Sequence, residues 1–333
     1  MNDFKALSLR EVCELLCEPR RTLIVYHVRS DADAVGSAFA LRELLTCMGI
    51  QAMCACGDEV PERLHFLHDA VQGSVLLDEE IPMDHERVIS VDSASPAQLG
   101  DLFGTLHRDI DLMIDHHATG TVYADSYIDP TAAATGEILY AMAKELVAMG
   151  KLEKIPHRVV NCLYAAISSD TGCFRYANVT PKTLRCAAEL LEAGADAVEI
   201  NHLLYESKSQ QQITAEGEAA RRLHLHKEGR VASVCFPYSA KKVLELSDEH
   251  LETVIDIPRS VAGVEVAFAV RQPGVENLFR VSMRSNCDFD VSEVCAVFGG
   301  GGHKRAAGCT VEAPDIGDAE YRILREINKR LPK

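Results

Sequence analysis

His27-Val-Arg-Ser-Asp31-Ala-Asp33-Ala-Val-Gly36-Ser37 lies between two segments of different pattern. The residues before it, Leu23-Ile-Val-Tyr26, form an apolar run that predicts a buried strand, and the residues after it, Ala38 to Met48, have helical periodicity. We expect Gly36-Ser37 to form a tight turn into that helix. The polar residues then lie between a strand and a helix, where open α/β sheets bind ligands.

His27, Asp31 and Asp33 offer an imidazole and two carboxylates that one turn of chain can direct to a single point. Carboxylates brought that close repel each other, and a bound cation would remove the repulsion. Asp is also a favoured N-cap and turn residue, so a capped helix explains the same segment. Taken alone, the segment leaves both interpretations open.

Two further apolar segments end in the same kinds of residue. Arg87-Val-Ile-Ser-Val91 is followed by Asp92, and Ile110-Asp-Leu-Met-Ile114 is followed by Asp115-His116-His117. Because the carboxyl ends of parallel strands meet at one edge of a sheet, we expect these residues to gather beside Asp31 and Asp33. Asp170, after a helical segment, fits another ligand, although Asp-Thr-Gly is also a common turn.

The length of 333 residues exceeds what one hydrophobic core usually spans, so two domains are expected. We predict an α/β protein with a doubly wound, mainly parallel sheet in residues 1–190. A helical linker follows in 191–222, and a second, smaller α/β domain in 223–333.

The net charge of −16 argues against a surface for long duplex nucleic acid, but not against a short anionic substrate. No run of about 18 apolar residues predicts a membrane span, and the N-terminus does not have the pattern of a secretion signal. The twelve cysteines are scattered without Cys-x-x-Cys spacing, as in a reduced protein. We therefore expect a cytoplasmic protein that has no membrane partner.

Gly299-Gly-Gly-Gly302-His303-Lys304-Arg305 predicts a phosphate-binding segment, because successive glycines let backbone N–H groups approach an anion beside cationic side chains. A mobile loop is the alternative. Arg284, followed by Ser285, fits a second anion contact, and a solvated strand end explains it equally well. The remaining histidines, among them His224 and His226, are expected to be ordinary surface or core residues.

Two histidines and four aspartates exceed the ligands that one ion usually takes, so they indicate a binuclear site. Imidazole with several carboxylates favours Mn, Fe or Co. Two such cations can activate a hydroxide and stabilise the attacking and leaving oxygens of a displacement at phosphorus. Phosphoester hydrolysis is the reaction that follows.

These motifs resemble, in order along nearly the whole chain, those of the DHH phosphoesterases that carry a C-terminal DHHA1 domain. They are His27-x-x-x-Asp31-x-Asp33, Val91-Asp92-Ser93, Asp115-His116-His117, Asp170-Thr-Gly and Gly300-Gly-Gly-His303-x-x-Ala-Ala-Gly308. The stand-alone nanoRNase/pAp phosphatases are the most similar members. The resemblance implies hydrolysis of very short single-stranded oligoribonucleotides or dinucleotides and removal of the 3′-phosphate of 3′-phosphoadenosine 5′-phosphate (pAp). It also implies two manganese ions and an active site in the cleft between the domains.

The resemblance also implies roles for individual residues. One ion would be held by His27, Asp31 and Asp92, and the other by Asp33, Asp92, His116 and Asp170. Asp115 would orient a histidine, and His117 would face the scissile phosphate. The substrate would be held by Arg284, Ser285, Gly301, Gly302 and His303.

Two alternative functions stay open. A cyclic di-AMP and linear dinucleotide phosphodiesterase has the same motifs, and a nucleotide or metal sensor would bind without turnover. A homodimer is a further expectation.

Overall fold

The computed structural model describes residues 4–70, 75–76, 81, 84–106 and 108–331. The chain divides into two compact units, one ending at Ser207 and the other beginning at Lys208. The predicted 191–222 linker is divided between them. Ile200 belongs to the core of the first unit, whereas Ala215 and Ala219 belong to a core of the second, because each helical segment buries its apolar side within its own unit.

A six-stranded sheet forms the middle of the first unit. Its strands are β1 (Thr22–Val25), β2 (Ala52–Ala55), β3 (Val75–Leu76), β4 (Arg87–Val91), β5 (Leu112–Asp115) and β6 (Asp125–Ile128). Their order in the sheet is β3-β2-β1-β4-β5-β6, and every pairing is parallel. All residues of β1, β4 and β5 are buried, as expected of apolar strands covered on both faces.

Helices and apolar cores lie on both faces of this sheet. The helices are α1 (Leu9–Leu16), α2 (Ala32–Cys47), α3 (His65–Ala70), α4 (Leu102–Thr105), α5 (Thr135–Ala148), α6 (His157–Asp170), α7 (Pro181–Glu192) and α8 (Ala197–Asn201). Short 3₁₀ segments span Glu62–Leu64 and Pro96–Leu99, and a π-helical turn spans His202–Glu206. The prediction of a doubly wound, mainly parallel α/β unit is confirmed.

The prediction of a turn at Gly36-Ser37 is wrong, because α2 begins at Ala32. Asp31 is its N-cap, and its Oδ1 accepts hydrogen bonds of 3.0 Å from the N–H groups of Asp33 and Ala34. Gly36 lies inside the helix, where a Cβ would meet the carbonyl oxygen of Cys162 at 2.6 Å. The glycine therefore allows close packing of α2 on α6.

The second unit contains a mixed six-stranded sheet. Its strands are β7 (His224–His226), β8 (Val231–Phe236), β9 (Val266–Arg271), β10 (Leu278–Ser285), β11 (Gly301–His303) and β12 (Ala306–Glu312). Their order is β11-β12-β10-β9-β8-β7, with β8 and β9 parallel and the other neighbours antiparallel. The prediction of a second, smaller α/β unit is confirmed.

Helices cover both faces of the second sheet. They are α9 (Gln210–Arg221), α10 (Tyr238–Val243), α11 (Asp256–Arg259), α12 (Val291–Ala296) and α13 (Ile316–Arg330), with 3₁₀ segments at Lys227–Gly229, Glu249–Leu251 and Thr253–Ile255. One core packs α12 and α13 on the sheet, and a second core packs α9 and the later 3₁₀ segments on the opposite face. Within the described ranges, no helix is long and apolar enough to cross a membrane.

Candidate metal centre

The acidic and histidine residues meet where the order of the first sheet reverses. Strand β1 lies between β2 and β4, so the connections leaving β1 and β4 run in opposite directions across the sheet. His27, Asp31 and Asp33 follow β1, and Asp92 follows β4 directly. Crevices of this kind, at the carboxyl ends of strands, are where open α/β sheets bind ligands.

His27, Asp31 and Asp92 form the first group of ligand atoms. His27 Nδ1 lies 3.0 Å from the carbonyl oxygen of Val28 and donates to it, which leaves Nε2 directed into the cluster. That Nε2 is 3.5 Å from Asp92 Oδ2 and 3.9 Å from Asp31 Oδ1. Burial opposes the charged imidazole, yet Asp92 and Asp31 raise the pKa of His27 to about 10.

Asp33, His116 and Asp170 form the second group. His116 Nδ1 is 3.3 Å from the carbonyl oxygen of Ala132, and Nε2 is 3.3 Å from Asp170 Oδ2, 3.7 Å from Asp92 Oδ1 and 3.8 Å from Asp33 Oδ2. Burial opposes protonation here too, but the three carboxylates raise the pKa of His116 to about 11. Asp170, whose pKa burial raises to about 6, comes from the last residue of α6.

Asp92 contributes to both groups. Its Oδ2 faces His27 and its Oδ1 faces His116, so the two groups share one buried carboxylate. Burial by itself would raise the pKa of Asp92, but the hydrogen bond from His27 and the positive charge of His116 hold that pKa below its usual range. The backbone of Asp92 has φ +52°, a left-handed conformation that is strained for most side chains and that Asp tolerates better than most.

Asp33 is fully buried in the first turn of α2 and is tied to the start of α5. Its Oδ1 accepts hydrogen bonds from the Ser37 hydroxyl (3.0 Å) and the Gly136 N–H (2.9 Å), and its Oδ2 accepts one from the Thr135 N–H (2.7 Å). Burial and the nearby Asp92 and other carboxylates raise its pKa. Asp33 is therefore held in one position by three hydrogen bonds. Burying its negative charge is unfavourable, and positive charge in the cluster would offset that penalty.

The donor set fits divalent cations. The ligand atoms within each group lie within 4.8 Å of one another, and the carboxylates attract enough positive charge to keep two imidazoles protonated far above their usual pKa. Oxygen and imidazole donors in this ratio suit Mn²⁺ and similar ions. The structure thus brings together all six residues that were predicted as metal ligands.

Asp115 and His117 form an adjoining pair. His117 Nδ1 donates to Asp115 Oδ1 over 2.7 Å and lies 3.8 Å from Asp92 Oδ1. The same Asp115 oxygen accepts from the backbone N–H groups of His116 (2.8 Å) and His117 (3.3 Å). Burial opposes the charge of His117, but Asp115 and Asp92 raise its pKa. Asp115 therefore orients the ring of His117 and the backbone of His116.

Thr135 is a site residue that sequence reasoning missed. Besides its N–H bond to Asp33, its hydroxyl donates to Asp92 Oδ1 over 2.9 Å. Ala134, at the N-cap of α5, makes no side-chain capping bond, so Asp33 accepts from the first N–H groups of α5 instead. The sequence did contain a signal, namely the alanines of Ala132-Ala-Ala134 directly before α5. Alanine cannot cap a helix, so the first N–H groups of α5 need a hydrogen-bond acceptor from another part of the chain.

The predicted glycine segment of the second unit is a hairpin. β11 pairs with β12 so that His303 lies opposite Ala306, and Ala306 lies opposite Arg284 of β10. His303 and Arg284 therefore share one face of the sheet, separated by two strand spacings of about 10 Å in total. Ser285 faces the other way, is buried, and donates its hydroxyl to the carbonyl oxygen of Cys287 over 3.0 Å, so it is not placed beside Arg284.

The glycines of this hairpin meet different surroundings. A Cβ at Gly300 would lie 2.2 Å from the Gly308 carbonyl oxygen, and one at Gly302, where φ is +137°, would lie 2.6 Å from the Ala306 carbonyl oxygen. These two glycines are required by packing within the hairpin. Among the residues that the structure describes, a Cβ at Gly301 meets nothing within 4 Å, so contacts with these residues do not explain why that position is glycine.

The family model for the N-terminal domain of the DHH family matches residues 21–167, and the model for the DHHA1 domain matches residues 237–332. A relative from Thermus thermophilus, named bifunctional oligoribonuclease and PAP phosphatase, is 29% identical over 313 residues, covering 93% of this chain and 90% of its own. A Bacillus subtilis protein of the same name is 28% identical over 314 residues, covering 92% of this chain and 93% of its own.

A crystal structure of an exopolyphosphatase-related protein from Bacteroides fragilis has the same fold, with a TM-score of 0.86 at 20% identity over 99% of this chain and 98% of its own. The chain therefore contains an N-terminal domain of the DHH family, which carries the acidic and histidine cluster, and a DHHA1 domain, which carries the glycine hairpin.

Proposed function

We propose that this protein is a manganese-dependent phosphoesterase that hydrolyses short single-stranded oligoribonucleotides and dinucleotides and removes the 3′-phosphate of pAp. The observation that carries the proposal is the pair of ligand groups sharing Asp92 at the topological switch of the parallel sheet. The names of the relatives from Thermus thermophilus and Bacillus subtilis support the choice of substrates.

Two divalent cations would be held by the residues described above. His27, Asp31 and Asp92 would bind one, and Asp92 would share the other with three ligands from the second group, namely Asp33, His116 and Asp170. When bound, the ions supply Lewis acidity toward phosphoryl oxygens and make water a better nucleophile. The arrangement of the groups around one shared carboxylate supports two ions more than one.

His117 has the properties of a group that faces the scissile phosphate. The hydrogen bond from its Nδ1–H to Asp115 fixes the orientation of the ring and therefore the direction of Nε2. Burial opposes protonation of this ring, but Asp115 and Asp92 raise its pKa and so favour the protonated form. An imidazolium placed in this way neutralises charge on the phosphate and donates a proton from Nε2 to the leaving oxygen.

The DHHA1 domain would hold the other end of the substrate. Arg284 and His303 share a sheet face, and Gly301 allows a ligand to approach the backbone closely. Local cationic groups of this kind suit a short anion within a chain whose net charge is −16, whereas a long duplex needs a broad basic surface.

The test is a manganese-dependent turnover assay with pAp, linear diribonucleotides, longer RNA and cyclic di-AMP. We expect pAp and the linear dinucleotides to be hydrolysed fastest, and Asp92→Ala to abolish turnover while retaining the far-UV circular dichroism of the wild type. Asp101→Ala, at an exposed aspartate that makes no side-chain capping bond, is the matched control and should keep full activity.

Two results would replace the proposal with an alternative. Preferred hydrolysis of cyclic di-AMP would assign a cyclic dinucleotide phosphodiesterase. Tight binding of a nucleotide without turnover of any of these esters, with manganese supplied, would assign a sensor.

A further inference from the structure

Three successive residues shortly after the candidate ligand Asp170 have a left-handed backbone. They are Gly172, Cys173 and Phe174, with φ values of +55°, +56° and +60°. Glycine adopts this conformation readily, whereas cysteine and phenylalanine do so at an energetic cost. Such strain persists only where surrounding contacts enforce it, and it is common at functional sites.

Hydrogen bonds from two directions hold this left-handed turn. The N–H of Cys173 donates to the carbonyl oxygen of Ser168 over 2.7 Å and to the hydroxyl of Tyr205 over 3.1 Å. The N–H of Phe174 donates to the Thr171 hydroxyl over 3.0 Å. Tyr205 belongs to the π-helical turn after α8, and its own hydroxyl donates to the same Ser168 carbonyl oxygen. The turn is therefore fixed by the end of α6 and by the π-helical turn.

The left-handed turn leads the chain back to the helix end that it has just left. The side-chain amide of Asn178 donates to the backbone carbonyl oxygens of Asp170 and Ala133, each over 3.0 Å. Asp170 is the last residue of α6, and Ala133 lies just before α5. Because an amide group has two N–H donors, one side chain joins these two segments.

Both joined segments carry members of the second group of ligands. Asp170 belongs to that group itself. The carbonyl oxygen of Ala132, next in sequence to Ala133, is 3.3 Å from His116 Nδ1. Thr135, at the start of α5, donates to two of the candidate ligand carboxylates. The bridge made by Asn178 therefore ties Asp170 to the segment that holds the rest of its group.

A second asparagine of the same unit makes a comparable pair of hydrogen bonds to a residue that is not a candidate ligand. Asn161 on α6 donates from its amide to Asp196 Oδ2 over 2.7 Å, and its amide oxygen accepts from the Asp196 N–H over 3.0 Å. Asp196 is the N-cap of α8. The bridge at Asn161 serves the fold alone, whereas the bridge at Asn178 ends on a candidate ligand.

We propose that Asn178 is a positioning residue for the second cation, and that the left-handed turn brings its amide to Asp170. This inference rests on the two-cation site of the proposed function. Asn178 sets the position of Asp170 relative to the other side chains of the second group. His27 and Asp31, which belong to the first group, follow β1 instead. Loss of the amide should therefore weaken the binding of one ion and spare the other.

Manganese binding to the full-length, metal-free protein, measured by isothermal titration calorimetry, tests the proposal. We expect wild type to bind two equivalents. In Asn178→Ala, the affinity of one equivalent should fall by about 10- to 100-fold, the usual effect of losing an outer-shell partner, and the other equivalent should keep its wild-type affinity. Asn178→Leu, which keeps the branched shape but has no N–H donor, should show the same loss.

Asp170→Ala identifies the equivalent that depends on Asn178. If the amide acts through Asp170, adding Asn178→Ala to Asp170→Ala should cause no further loss of manganese affinity. A further loss of 10-fold or more in the double variant would contradict the proposed route.

Asn161→Ala is the matched control, because it also loses two side-chain hydrogen bonds that end on α6 and a neighbouring segment. It should bind both manganese equivalents as wild type does, even if its thermal midpoint falls as far as that of Asn178→Ala. Unchanged manganese affinity in both Asn178 variants would overturn the proposal. An equal fall in both equivalents, or an equal defect in Asn161→Ala, would also overturn it.

Hydrolysis by the wild type separates this inference from the proposed function. Two bound manganese ions without turnover of any of the esters would remove the proposed function, while a selective loss in the Asn178 variants would still support the positioning role. Turnover by the wild type together with unchanged manganese binding in the Asn178 variants would remove the positioning role alone.

Discussion

Replacing Thr135 with valine would remove one hydroxyl from the metal cluster while nearly keeping the shape of the side chain. The backbone N–H of residue 135 would still donate to Asp33, so the start of α5 stays anchored. The hydrogen bond from the hydroxyl to Asp92 Oδ1, 2.9 Å long and buried, would be lost. Asp92 is the carboxylate shared by both ligand groups, so the perturbation acts at the centre of the site.

The expected size follows from the type of bond that is lost. A hydrogen bond to a charged acceptor contributes about 1.5–3 kcal/mol, which corresponds to a change of about 10- to 150-fold in an equilibrium or rate constant. Loss of an outer-shell partner of a metal ligand has effects of similar size. We therefore expect Thr135→Val to weaken manganese binding or to lower kcat by one to two orders of magnitude, about 10- to 150-fold.

The assay is a manganese titration of the hydrolysis of a linear diribonucleotide, with direct measurement of manganese binding to the same protein. Thr135→Ser is the matched variant, because it keeps the hydroxyl that donates to Asp92. It should retain most of the activity and metal affinity of wild type. Wild-type behaviour of Thr135→Val, or an equal defect in Thr135→Ser, would refute the role of this hydrogen bond.

Three further predictions follow from the contacts in the two domains. The pKa of His116 is raised to about 11, so manganese must displace a proton from this imidazole when it binds. The affinity for manganese should therefore rise between pH 7 and pH 9 by up to about tenfold per pH unit for each displaced proton, and calorimetry that shows no proton release would contradict this. Asp115→Asn removes the anion that raises the pKa of His117 against the effect of burial, so the alkaline limb of the rate profile should move to lower pH; an unchanged limb would count against proton donation by this histidine. Gly302→Ala should lower the free energy of unfolding by about 1–3 kcal/mol, because its φ is +137° and its Cβ would meet a carbonyl oxygen. Gly301→Ala should keep the wild-type thermal midpoint and raise KM for short RNA, and equal midpoints of the two variants would refute the distinction between the two glycines.

The sequence was most informative where residue type alone implies geometry. Apolar runs before Asp92 and Asp115 predicted buried parallel strands, and the parallel arrangement predicted that their carboxyl ends would meet. Five of the six predicted metal ligands follow β1, β4 or β5 and are close together for this reason, whereas Asp170 is brought to them by the end of α6. Helix boundaries were harder to predict, as α2 shows. Asp31 is both the N-cap and a candidate ligand, and Gly36 is a glycine because α2 packs closely against α6 there.

The sequence could not predict contacts between residues that are distant along the chain. The hydrogen bond from Thr135 to Asp92 and the close contact of Gly36 with Cys162 both depend on how separate elements pack. A propensity or a local motif describes a few neighbouring residues, whereas these contacts arise only after the apolar faces are buried and the register of each strand is set.

The sequence by itself determined the fold class, the succession of two α/β units and the identity of the residues at the strand ends, because hydrophobic periodicity and residue chemistry are local properties. Only the tertiary structure decided which carboxylate is shared, which imidazole nitrogen faces the cluster and which glycines have room for a ligand. Those features depend on differences of a few tenths of an ångström in the distances between elements far apart in the chain, and the packing of those elements determines such differences.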